Sequence, residues 1–234
     1  MKLTNLFISG LLSIFFLITD VHAQSCKVIN DFDGLIFDAG AYPALEGMVE
    51  RLDFALSKGV EKVVLFPHPI ASKGNEPEAL EDTFPDLVVQ GRKPWSNADG
   101  VIWPEPLLSN GLKVLEAKLA GSPDQKILLS HISRFDGDEL LRLVKEHENL
   151  WLGLSDAEVK ILLQTCAKGG IRKLMSQAHG RLVYASFGLG DAWKNYKWQI
   201  ARLKELATLL PKVEGEALIF RNAEELYGLS VNAP

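Results

Sequence analysis

From residue 32 to the C-terminus, short apolar runs rich in β-branched residues alternate with segments whose apolar positions recur at helical spacing. Gly34 to Asp38 (GLIFD) predicts a strand. A helix follows over Ala44 to Ser57, with Leu45, Met48, Val49, Leu52 and Leu56 on one face and Gly59 as its stop. Val60 to Pro67 (VEKVVLFP) reads as a second strand. After a polar stretch, Ala71 to Pro77, come a short helix at Glu78 to Thr83 and a third strand at Asp86 to Gln90. Gly91 to Glu105 holds two Trp, two Pro and two Gly with no period, and predicts a loop. Leu107 to Leu119 restores helical spacing. Three further strands are expected at Ile127 to His131, Leu150 to Ser155 and Arg181 to Ser186, each followed by a helix: Gly137 to His147, Ala157 to Ser176 and Ala192 to Leu209. A last helix spans Gly215 to Leu226.

This alternation predicts an α/β fold of parallel βα units. About six strands are recognisable, whereas a closed βα barrel has about eight and a doubly wound sheet five or six, so periodicity alone does not choose between them. No Gly-x-Gly-x-x-Gly follows the first strand and no Gly-Lys-Ser/Thr phosphate loop occurs, which leaves the usual nucleotide sites of open sheets without support.

The front of the chain differs from the rest. Lys2, an apolar run from Leu6 to Ile18, and Val21-His22-Ala23 before Gln24 follow the order of a secretory signal peptide. The apolar run is shorter than the roughly 20 residues that a spanning helix needs. The expected division is a signal peptide over residues 1–23 and one domain over 24–234, with a periplasmic or secreted destination and no membrane contact after cleavage. Loss of residues 1–23 removes one Lys and one Asp, so the net charge of −5 is unchanged. That balance removes the electrostatic case for nucleic-acid binding. An apolar content of 47% allows a buried core. Cys26 and Cys166 are the only cysteines and could pair in an oxidising compartment, but Cys166 follows Ile161, Leu162 and Leu163 in a helical apolar pattern, which favours a small buried hydrophobe.

Four blocks resemble the amidohydrolase-related metal-dependent hydrolases, a TIM-barrel family that includes decarboxylases of the aminocarboxymuconate-semialdehyde type. Leu35-Ile36-Phe37-Asp38-Ala39 resembles its first strand and Gly59 to Leu65 its second. Lys126 to Ile132 (KILLSHI) is similar to the sixth strand with its single His. Arg181 to Ser186, with Ile219 to Leu229 (IFRNAEELYGL), is similar to the last strand and closing helix. The resemblance implies a TIM-barrel-like, incomplete parallel βα structure. It also implies a divalent metal held by a His-x-His pair, a middle-strand His and a terminal Asp, but this chain has Gly40 and Tyr42 at the pair and Phe187 at the Asp position. A divalent ion needs several converging N and O donors, so the expectation is no bound cofactor and no residue assigned as a metal ligand, the alternative being a divalent metal in a reduced three-ligand site of His68, His131 and Asp38.

Residues at the carboxyl ends of parallel strands face a common crevice, which makes Asp38, Tyr42, His68, His131, Arg134, Asp156 and Asp191 candidates for one pocket. His131 and Asp38 are the catalytic candidates: His131 as general base or as orienter of an acidic ligand, Asp38 as its partner. His68, Tyr42, Arg134 and Asp191 are candidates for binding a small-molecule ligand. His147 and His179 are expected at helix C-termini, and Trp95, Trp103 and Trp193 in or beside loops. Two functional classes remain: an exported hydrolase or decarboxylase rebuilt around His131, and a descendant that keeps the scaffold and binds without catalysing.

Overall fold

Among the described residues of the computed structural model, seven strands run in chain order: β1 (Ile36–Ala41), β2 (Val60–Leu65), β3 (Val88–Gln90), β4 (Val101–Ile102), β5 (Ile127–Leu129), β6 (Leu150–Leu154) and β7 (Leu182–Tyr184). The structure describes residues 26–44, 46–67, 76–91, 101–102, 111–187 and 190–229. The expected signal peptide, His68, Trp95 and Trp103 lie outside them, as does the side chain of Asp191. Every described pairing is parallel, in two sheets of order β1-β2-β3 and β4-β5-β6-β7.

Parallel neighbours need a crossover, and helices supply it. They are α1 (Met48–Leu56), α2 (Pro77–Thr83), α3 (Gly111–Gly121), α4 (Gly137–Glu146), α5 (Asp156–Gln164), α6 (Gly170–Ala178), α7 (Tyr196–Thr208), α8 (Lys212–Glu216) and α9 (Asn222–Tyr227). Each paired strand lies beside its predecessor, without the reversal of order that marks a doubly wound sheet. The chain segment after β7 returns to β1, where the Phe187 N–H donates to the Gly40 carbonyl at 2.9 Å. This winding gives the molecule the incomplete barrel that the pattern alone left open.

Strand alternation sorts the core into two faces. Phe37, Val64, Leu128, Trp151 and Val183 belong to an inner cluster with Phe66, Ala185 and Phe187. Their neighbours Ile36, Val63, Ile127, Leu150 and Leu182 face outward into the helix layer. The inside is thus packed with side chains rather than hollow. α9 sits by the amino ends of the strands. There Asn222 donates to the carbonyls of His179 and Leu182, Lys126 donates to that of Glu225, and Phe220 and Tyr227 pack on Phe37.

Three expectations are corrected. The stretch read as loop from Gly91 to Glu105 contains β4, a two-residue strand too short to show a period. The single helix expected over Ala157 to Ser176 is broken into α5 and α6, because Cys166 and Ala167 take left-handed φ values of 50° and 52° and Gly169 takes 85°. Cys166 therefore leaves the helical register that suggested a buried hydrophobe, and it forms a disulfide with Cys26. Next to that bridge, the N–H groups of Ile29 and Asn30 donate to the Thr208 carbonyl, and the Asn30 amide donates to Ala207 and Leu210. The N-terminal segment is thereby strapped across the end of α7.

A bridge spanning 140 residues removes much of the freedom of the unfolded chain. Cys166→Ser is expected to lower the unfolding free energy by about 2–4 kcal/mol, read as a lower urea midpoint at pH 7. Reductant should bring the parent chain down to the same value and leave the variant unmoved. Equal midpoints for parent and variant without reductant would contradict the strap.

Candidate functional site

Asp38, expected at the carboxyl end of the first strand, is fully buried as the third of the six residues of β1. Its Oδ1 accepts from the Ser186 N–H at 2.9 Å and the Gly40 N–H at 3.3 Å, and its Oδ2 accepts from the Tyr196 hydroxyl at 3.1 Å. The carboxyl group therefore joins β1 to the segment after β7 and to the first residue of α7. Burial raises its pKa to about 6, against the opposing pull of the Ser186, Gly40 and Tyr196 bonds. Burial, with the charge of Asp38 adding to it, also holds the Tyr184 and Tyr196 phenols well above the usual range.

An irregular register between Asp38 and Ala41 turns the chain at this point. Asp38 faces the helix layer, whereas Tyr42 packs on the inner cluster, its ring centroid 6.2 Å from that of Phe66. The Tyr42 carbonyl accepts from the Trp193 indole at 2.7 Å, and Trp193 is buried against Tyr196. The pocket expected to unite Asp38, Tyr42 and His131 is thus divided: one wall is inner and aromatic, and the acid lies behind it.

His131 follows β5 in a left-handed conformation with φ 53° and is half-buried. Its ring meets that of Phe187 nearly edge-on at 5.8 Å between centroids. Phe187 also has positive φ, 46°, and its ring lies over Gly153 of β6, where an added Cβ would stand only 2.6 Å from the ring. Gly153 is what admits the ring. The structure brings His131, Phe187 and Gly153 together at the carboxyl ends of β5, β6 and β7.

Arg134 ends a short 3-10 turn, Ile132–Arg134, and is exposed. Asp156 is held by Arg202 of α7, with Nε at 2.8 Å and Nη2 at 2.5 Å from Oδ1, and by Lys160 at 2.7 Å. It pins α5 to α7 instead of opening into the pocket. His147 and His179 do stand at helix C-termini, after α4 and α6.

Glu158 was not among the candidates, yet it shapes the site. Fully buried in the first turn of α5, it accepts from the N–H and hydroxyl groups of both Ser133 and Ser155. Burial alone would raise its pKa, but these four bonds hold it below the ordinary value. The carboxylate fixes the turn that carries His131. Its signal was legible as Ser155-Asp156-Ala157-Glu158, the Ser-x-x-Glu capping box.

Among the described residues, which leave out His68 and the side chain of Asp191, the donors at the strand ends do not fit a divalent metal. Among the described residues that region offers the His131 imidazole, while the positions of the expected ligands carry Gly40, Tyr42 and Phe187. Ligand-type side chains within reach of one point occur, among the described residues, at Glu116, Glu146 and His147 on the outer helices. There Arg142 already bridges both carboxylates.

No family model matches the chain, and no curated protein matches it. Among solved structures the chain is similar to an amidohydrolase 2 from Bifidobacterium longum subsp. infantis, with a TM-score of 0.49 and 13% identity over 84% of this chain and 100% of that one. It is also similar to a dihydroorotase from Campylobacter jejuni, with a TM-score of 0.40 and 15% identity over 82% of this chain and 65% of the other. The architecture stated here, an α/β protein with an incomplete parallel βα barrel, rests on the strand order and the β1–β7 seam.

The raised pKa of Asp38 fixes a pH dependence. Below about pH 4 the group is protonated in both the folded and the unfolded chain; the stability this allows is lost as pH rises toward and through 6. The parent chain should lose on the order of 3 kcal/mol over this window relative to Asp38→Asn, measured by urea unfolding at pH 4, 5, 6 and 7. Parallel curves for the two proteins would contradict a desolvated acid at this position.

Proposed function

We propose that the chain is an exported protein on an amidohydrolase-type scaffold, and that its strand ends bind a ligand or partner without metal-dependent hydrolysis. The observation that carries the reading is Phe187. It stands at the position of the family's terminal metal-ligating Asp, and its ring fills the space above Gly153 and meets the face that His131 presents. An apolar ring there donates nothing to a cation, and it desolvates the imidazole beside it.

Asp38 supports the same reading from the other side. A general acid or base must reach the proton it moves, and the Asp38 oxygens are engaged by Ser186, Gly40 and Tyr196 within the seam. What remains toward solvent is a rim suited to contact: the half-buried Tyr42 and His131 and the exposed Arg134. Such a rim offers an aromatic face, an imidazole and a guanidinium to a small anionic or amide-bearing ligand.

Elemental analysis of the purified mature protein after incubation with Zn, Mn and Fe, beside His131→Ala, tests the reading. Both proteins should carry well under one equivalent of metal. Stoichiometric metal that disappears in His131→Ala would overturn it in favour of an active hydrolase or decarboxylase acting on a small carboxylate or amide substrate through a rebuilt site.

Export is supported by the residue 1–23 pattern together with the Cys26–Cys166 disulfide, a bond that persists in oxidising compartments. Among the described residues no helix is long and apolar enough to cross a membrane. Fractionation of cells producing the full chain should recover, in the periplasm or medium, a form beginning near Gln24. A chain retained with its first residues intact would contradict export.

A further inference from the structure

An open groove of about 510 Å³ lies between α1 and α7, away from the strand ends. Phe54, Ile200 and Ala201 give it apolar walls, and Trp198, still 56% exposed, borders it. A second hollow of about 240 Å³ shares Phe54 and Lys197 and extends toward Tyr196. The larger hollow is within the size range of small-ligand sites.

Three ammonium groups surround this apolar surface. The Lys58 Nζ stands 5.3 Å from the Phe54 ring centroid and the Lys197 Nζ 4.9 Å from that of Trp198. Lys204 reaches the same end as Lys58, with Nζ 3.5 Å from the point where a Cβ on Gly59, the next residue, would stand. Among the described residues, none of the three forms an ion pair. The chain carries a net charge of −5, so a concentration of unpaired cations over exposed aromatic surface is not its average surface. The acid that lines this region is Glu50, in the smaller hollow.

We propose that the groove binds an amphipathic carboxylate, a small molecule with an acid head and an unbranched hydrocarbon tail. The head sits between Lys58 and Lys204, and the tail runs over Phe54, Ile200 and Ala201 toward Trp198. Charge complementarity selects the head. Burial of apolar surface selects the tail and replaces water over the indole. A cationic amphipath of the same length meets three like charges, and a short carboxylate leaves the aromatic surface wet. The site is independent of the strand ends and of the function proposed for them.

Isothermal titration of the mature protein with sodium decanoate, below its micellar concentration, tests the assignment against decyltrimethylammonium and butyrate. Decanoate should saturate one site per chain, weaken as salt rises, and bind at least about tenfold more tightly than either control. The double variant Lys58→Glu/Lys204→Glu, and separately Trp198→Ala, should each weaken decanoate at least roughly tenfold. Both changes lie on the surface, and unchanged thermal midpoints would show that the fold persists. Decanoate that does not saturate, equal binding of the cationic amphipath, or undiminished binding by the charge-reversed variant would overturn the proposal. So would a ligand-free dimer, seen in the ultracentrifuge and broken by Trp198→Ala, since a second copy would then occupy the groove.

Discussion

The buried carboxyl group of Asp38 holds the barrel's last turn to its first. Among the described residues β7 and β1 share no ladder, and what joins β1 to the segment after β7 is the Phe187 N–H on the Gly40 carbonyl and the Ser186 N–H on Asp38, which also gathers the Gly40 N–H and the Tyr196 hydroxyl. Take the acid away and two backbone N–H groups and a phenol are left buried without a partner, each a cost of about 1–3 kcal/mol. The group is kept because it is fully engaged, although burial makes its charge expensive. Its consequences spread from there: Ser186 is fixed, so Phe187 points inward, and Tyr196 is fixed, so α7 begins where Trp193 can reach the Tyr42 carbonyl.

The seam decides the chemistry of the strand ends. With Asp38 committed to the helix side and Phe187 packed over Gly153, the inner side at the carboxyl ends is aromatic. Glu158 completes the arrangement by holding the turn behind His131 through Ser133. Two buried acids thus serve as internal fasteners, one between strands and one between a turn and a helix. Fold alone says little about activity, and here the placement of these acids is what separates scaffold from site.

Much of this was legible in the residues. Six strands and the order of helices followed from apolar periodicity, whereas the Ser-x-x-Glu box at the start of α5, a signal present in the residues, was passed over. What escaped had physical reasons. β4 is two residues long and carries no period. The break between α5 and α6 lies in left-handed residues that include Cys166 and Ala167, neither of which signals a turn by type, so the cysteine was assigned to a helix it does not join. Asp38 and Tyr42 were assigned to one pocket because both were expected at the carboxyl end of the first strand, where parallel strands share a crevice. The irregular register between Asp38 and Ala41 put them on opposite sides, and Gly40 within that stretch is the residue type that marks it.

The claim that Asp38 fastens the seam and neither binds metal nor exchanges protons with a substrate is tested most directly by following its side-chain carboxyl carbon in an NMR titration. The account predicts a midpoint near pH 6 that does not move when Zn or Mn is added in excess. A midpoint in the ordinary carboxylate range, or one that shifts downward with metal, would contradict it.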